Sequence, residues 1–172
     1  KLFQAAGRVE EGEFTIRTKS GERRVWDFST APLGAAKDGR KTIISQAKDV
    51  TDKKKTENEL KKSEELFFKA FEGNPSFLTI SSAATGKFIA VNAALENLTG
   101  YSKEELIGKS AAEINLWTDE SLLSQLRRQT IETGSYSNKE IKIRTKSGSV
   151  KTGVASAQLI DFGGEKCILT SG

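Results

Sequence analysis

Apolar and polar positions alternate strictly in two stretches of this chain. Phe14 and Ile16 alternate with Glu13, Thr15 and Arg17 ahead of Lys19-Ser20-Gly21, and Ile141 and Ile143 alternate with Glu140, Lys142 and Arg144 ahead of Lys146-Ser147-Gly148. A period of two places alternate side chains on one face, the mark of a half-buried strand, and the Lys-Ser-Gly triplets mark turns. Each stretch continues in a second strand-like run, Val25 to Leu33 and Val150 to Ile160, so each predicts a hairpin. A third strand follows in both, from Lys41 to Ala47 after an Asp38-Gly39 turn, and from Lys166 to Thr170 after Gly163-Gly164.

The two nonapeptides are near copies, and they lie 127 residues apart, from Glu13 to Glu140. That period is far too long for a solenoid, so the repeat predicts two related domains in tandem. The first, residues 1–50, holds only the three-stranded end of its fold; the second, residues 72–172, is complete but for its tail.

Between them, residues 51–71 form a stretch without Gly or Pro, rich in Lys and Glu, in which Leu60, Phe67 and Phe71 recur at spacings of seven and four. This predicts a linker helix. Its narrow stripe suits a two-stranded coiled coil, and Phe67, Phe68 and Phe71 suit packing on the following domain; the two are compatible.

In the second domain, strands are expected at Phe77 to Ser82 and Lys87 to Val91, joined by a turn at Ala83 to Gly86. Asn92 is placed to cap a helix that stops at Gly100, and Ser102 with Glu105 forms a capping box for a short helix ending near Gly108. A longer helix runs from about Asp119 to Gly134 and carries Leu122, Leu123, Leu126 and Ile131. The order β-β-α-α-α-β-β-β predicts an α+β domain, an antiparallel β-sheet with its helices on one face.

Composition removes several classes of chemistry. Histidine is absent from the 172 residues, which excludes a Cys-His zinc site, His-ligated haem, a Ser-His-Asp triad and a phospho-accepting histidine within them. Methionine is also absent, and the natural protein is expected to begin before Lys1. With no long apolar run, no secretory signal pattern and a single Cys167, a cytoplasmic location without membrane contact in this segment is expected, whether or not the parent is anchored elsewhere. The net charge of +4 comes from lysines and arginines interleaved with acids, which reads as solvated faces and not as a nucleic-acid surface. Gly163-Gly164 lacks the Gly-Lys-Ser/Thr of a phosphate loop, and Asp119 and Glu120 suit a helix start, so neither catalytic nor metal-binding residues are expected.

The ordered set Val91-Asn92-Ala93-Ala94, Leu98-Thr99-Gly100-Tyr101-Ser102 and Glu104-Glu105-Leu106-Ile107-Gly108-Lys109, with the two Arg-Thr-Lys-Ser-Gly hairpins, resembles the PAS family. Asp49-Val50-Thr51 is similar to the Asp-(Ile/Val)-Thr signature that closes a PAS domain, its PAC region, before an exit helix. The resemblance covers roughly Gly12 to Thr170. It implies a cytoplasmic sensor that binds a small ligand between sheet and helices, or only dimerises, and relays a conformational change to an output domain in the same chain. Asp49, Thr51, Leu60, Phe67 and Phe71 would then carry relay and dimerisation. Flavin-adduct relatives carry a reactive cysteine where this chain has Ala111, so no cysteinyl-flavin adduct is expected, and the identity of any cofactor stays open.

Period-two alternation puts Leu78 and Ile80 on one strand face, opposite Phe77, Thr79 and Ser81, and the more apolar pair is expected to point inward. Leu95, Leu98, Ile107, Ile114, Trp117, Leu126, Ile141 and Ile143 complete the expected wall, either of a ligand pocket or of a filled core. The parent that the resemblance suggests is a sensor histidine kinase of a two-component system acting as a homodimer. A diguanylate cyclase or a transcription regulator is the alternative output, and a ligand-free dimerisation module the alternative role.

Overall fold

The computed structural model describes residues 9–35 and 40–172, so the Asp38-Gly39 turn and the first eight residues of the expected first domain lie outside it. The chain divides into two compact units, Lys1–Glu64 and Glu65–Gly172.

The first unit contains an antiparallel sheet of β1 (Val9–Arg17), β2 (Arg23–Ala35) and β3 (Lys41–Asp49), in that order. Its hairpin turn is closed by the Thr18 amide on the Glu22 carbonyl (2.8 Å) and the Gly21 amide on the Thr18 carbonyl (2.9 Å). Gly21 sits at φ 89°, a conformation that disfavours any Cβ. The helix α1 (Thr51–Glu72) begins directly after β3. Its start is fixed by the Asp49 carboxylate, which accepts the Thr51 amide (3.0 Å) and hydroxyl and is held in turn by Arg24 (2.9 Å). Thr51 also accepts the Val25 amide (2.9 Å), tying the helix start to β2.

In the second unit, β4 (Leu78–Ser82), β5 (Phe88–Val91), β6 (Ser135–Arg144), β7 (Val150–Phe162) and β8 (Glu165–Ser171) form one antiparallel sheet in the order β5-β4-β8-β7-β6. The helices α2 (Ala93–Thr99), α3 (Lys103–Leu106) and α4 (Glu120–Thr133) fall between β5 and β6. Their ends follow the sequence signals: Asn92 and Asp119 accept the Leu95 and Leu122 amides, Ser102 and Glu105 form the capping box, and Gly100 and Gly134 stop their helices in left-handed conformations. The β6–β7 turn repeats the first hairpin bond for bond: the Thr145 amide meets the Ser149 carbonyl at 2.8 Å and Gly148 meets Thr145 at 2.9 Å. The pairings Ile16↔Arg24 and Arg17↔Arg23 recur as Ile143↔Lys151 and Arg144↔Val150, so the sequence repeat is also a repeat of register.

Two apolar clusters lie on opposite faces of this second sheet. The larger holds Phe88, Val91, Leu95, Leu106, Leu116, Leu126, Ile141, Ile143 and Ile168 between sheet and helices. The smaller joins Phe71, from the last turn of α1, to Ile80 and Cys167, with Leu78, Ala90, Ile160 and Leu169 at its edge. Beside it Phe67 stacks on Phe71 with ring centroids 5.5 Å apart.

Asn92 joins these parts. Fully buried, its amide oxygen accepts the Leu78 (2.9 Å) and Leu95 (3.2 Å) amides, while its nitrogen donates to the carbonyls of Phe71 (3.1 Å), Asn74 (3.4 Å) and Ser76 (2.9 Å). One side chain thus satisfies the end of α1, the entry to β4 and the start of α2, all groups that would be costly to bury unpaired.

Candidate functional site

A cavity of about 270 Å³ lies between the sheet and the helices of the second unit. Its floor follows from strand register. Tyr136 pairs with Ala157, Ala157 with Thr170, Thr170 with Thr79, and Thr79 with Val91, so these residues form one row across all five strands. Tyr136, Thr79 and Thr170 from that row line the cavity. The next row, Leu159, Ile168, Ser81 and Phe88, leads toward the β4–β5 turn. In the other direction lie Phe77, Ile141 and Ile143, with Trp117 bridged to Ile143.

The two ends differ chemically. Toward the β4–β5 turn the lining is Ser81, Thr85, Gly86, Ser110 and Arg127; toward Trp117 it is apolar. The Arg127 guanidinium lies over Gly86, its Nη1 at ordinary contact distance, 3.5 Å, from where a Cβ would sit. Arg127 donates from Nη2 to the Ala83 (2.8 Å) and Ala84 (2.6 Å) carbonyls. Its Nε is buried without a partner, and no ion pair involves it among the described residues. Tyr136 is only 6% exposed, and burial alone pushes its hydroxyl up to about 12, so the phenol remains a neutral donor.

Of the side chains expected at this wall, Leu95, Trp117, Leu126, Ile141 and Ile143 line the cavity. Leu98 and Ile114 pack against the same apolar cluster without reaching the opening, and Ile107, 37% exposed, turns outward where its backbone bridges Phe88. The facing of β4 is the reverse of the expectation. Leu78 and Ile80 belong to the outer cluster, and Phe77, Thr79 and Ser81 face the cavity. The reason is Phe71: the end of α1 covers the outer face there and needs the larger aliphatic pair beneath it, while the cavity accepts short hydroxyl side chains. Ala111 also lines the cavity.

Sequence reasoning missed Arg127 and Tyr136. Nothing in the local pattern marks either one, because α4 presents Arg127 beside Leu123 and Leu126 on a helix that reads as ordinary amphipathic surface.

Asp49 and Thr51 meet at the start of α1, as described, and the two bonds from Thr51, reinforced by Arg24, hold the Asp49 carboxyl down at about 2. Phe71 is buried, whereas Leu60 and Phe67 remain half or more exposed. Leu66 and Phe68 are more open still, at 70% and 63% exposure. Cys167 is buried, and burial together with Glu165 and Asp161 pushes its thiol up, away from reactive thiolate character. Among the described residues no cluster of acids and cysteine is arranged to hold a metal ion, and no helix is long and apolar enough to cross a membrane.

Residues 65–170 match the family described as the PAS fold. Among solved structures, the PAS domain of an HTR-like protein from Haloarcula marismortui is 22% identical, with a TM-score of 0.55 over 69% of this chain and 96% of that one. A PAS domain from Colwellia psychrerythraea is 21% identical, with a TM-score of 0.53 over 63% of this chain and 93% of that one. A PAS domain from a two-component sensor histidine kinase is 16% identical, with a TM-score of 0.52 over 67% and 96%. At these identities the likeness is one of fold. No curated protein matched the chain.

Proposed function

This chain belongs to the PAS family, and from that premise we propose that it is the sensory and signal-transmitting region of a larger cytoplasmic regulator, a two-component sensor histidine kinase. The first unit is the PAC-like end of a preceding PAS domain, α1 is the linker, and residues 72–172 are the sensing domain. The observation that carries this reading is the cavity, with the last turn of α1 packed on the other side of the sheet that forms its floor. A ligand that alters the packing of β4 or β8 changes the seat of Phe71, and α1 carries that change as a shift between helix states.

In this reading the output enzyme, a kinase, lies outside these residues, with a cyclase or a transcription regulator as the alternative. The exposed Leu60, Leu66, Phe67 and Phe68 favour a homodimer through α1.

Native followed by denaturing mass spectrometry of the full chain reads oligomeric state and retained small molecule together. A dimer releasing a defined mass on denaturation is the expected result. An apo dimer would leave transmission without sensing, and an apo monomer at every concentration would overturn coupling through α1.

A further inference from the structure

Resting on the ligand-sensing reading, we propose that the cavity takes a small carboxylate with an apolar body, its head held by Arg127 and its body directed toward Trp117 and Ile143. Among the described residues Arg127 is the one charged side chain that lines the cavity, and no acid lines it. A cation at a mostly apolar cavity, bonded only to neutral carbonyls and with a buried, unpaired Nε, is stabilised by a single negative charge. A dianion such as a phosphate ester would carry a second charge with no counter-ion there. A planar carboxylate also matches the guanidinium fork, and the neutral Tyr136 phenol supplies a further donor facing the same space.

The volume limits the rest of the molecule. At about 270 Å³ the cavity falls just below the usual range for drug-sized ligands, roughly 300–1,000 Å³, so the body is short. The apolar end offers no charged lining group, so a second charged terminus would be unpaired there. The class is therefore a monocarboxylate of medium chain length or a small aryl-alkyl acid. Arg127 also holds two carbonyls of the turn that follows β4, those of Ala83 and Ala84, so engagement of its free donors connects the ligand to the strand whose outer face seats Phe71.

The test is isothermal titration of the full chain, stripped by denaturation and refolding, with octanoate, 1-octanol and octylammonium, which share a body and differ in head charge. Octanoate is expected to bind roughly tenfold or more tightly than 1-octanol, the size of a charge-assisted hydrogen bond, and octylammonium weakest of the three. Arg127→Gln should remove the preference, Arg127→Lys should keep part of it, and 1-octanol binding to each variant reads whether the cavity persists. Equal affinity for octanoate and 1-octanol in the native chain, or a preference that survives Arg127→Gln, overturns the carboxylate proposal and leaves the ligand cavity standing. If none of the three binds, both readings fall.

Discussion

Asn92 shows how much one side chain can settle. From sequence it reads as an N-cap for α2, and it is one, yet four of its five hydrogen bonds go elsewhere, to β4 and to the segment that leaves α1. An amide serves here because it offers an acceptor and two donors in one plane; a carboxylate would face three carbonyls with like polarity. Asn92→Ala strands several buried backbone groups and should cost about 2–4 kcal/mol, read as a fall in melting temperature on the order of 10 °C for the second unit. Asn92→Asp should be as damaging at neutral pH despite its equal size. The N-cap role was legible because capping is local; the wider role depends on chain ends that only the fold brings together.

The elements were largely legible, and the reasons are local ones. Alternation located β1 and β6, the strand-like runs after their turns located β2 and β7, and Gly100, Gly134 and the Ser102–Glu105 box fixed the helix ends. The facing of β4 was not legible, because a period of two sorts residues into two sets without saying which set meets which neighbour. Both faces of β4 are covered, one by the cavity and its helices and one by Phe71, and only the tertiary arrangement assigns them. At the start of α1 the Asp49-Val50-Thr51 signature becomes a testable electrostatic joint. Its carboxyl lies at about 2 against an ordinary 3.8, so the joint is complete above the unfolded value and is lost as pH falls toward the folded one. Hydrogen exchange at the first turn of α1 should therefore accelerate between about pH 4 and pH 2, beyond the intrinsic pH trend. In Asp49→Asn that acceleration should be missing; an identical response in the two proteins would mean that the carboxylate does not hold the helix start.

At the scale of the whole chain, the two units carry one tryptophan each, Trp26 and Trp117. Trp26→Phe and Trp117→Phe variants turn fluorescence into separate reports on each unit. The three-stranded first unit has few ways to cover both faces of its sheet, whereas the second closes a core on one face and a smaller cluster on the other. The Trp26 signal should be lost at lower urea than the Trp117 signal, and coincident curves would instead show one cooperative block. Leu95, Trp117, Leu126, Ile141 and Ile143 were legible as one apolar wall, whereas the polar end of the cavity was not, since the space is bounded by residues scattered from Phe77 to Thr170.

The single thiol lies beneath Phe71 on the outer face, not in the cavity. Cys167 is therefore a clock already built into the chain: a thiol reagent reaches it only during the intervals in which the end of α1 lifts. Its labelling rate counts those intervals, with no dye or spin label to be introduced. A cavity occupant that steadies or loosens the seat of the helix will slow or speed that clock from across the sheet.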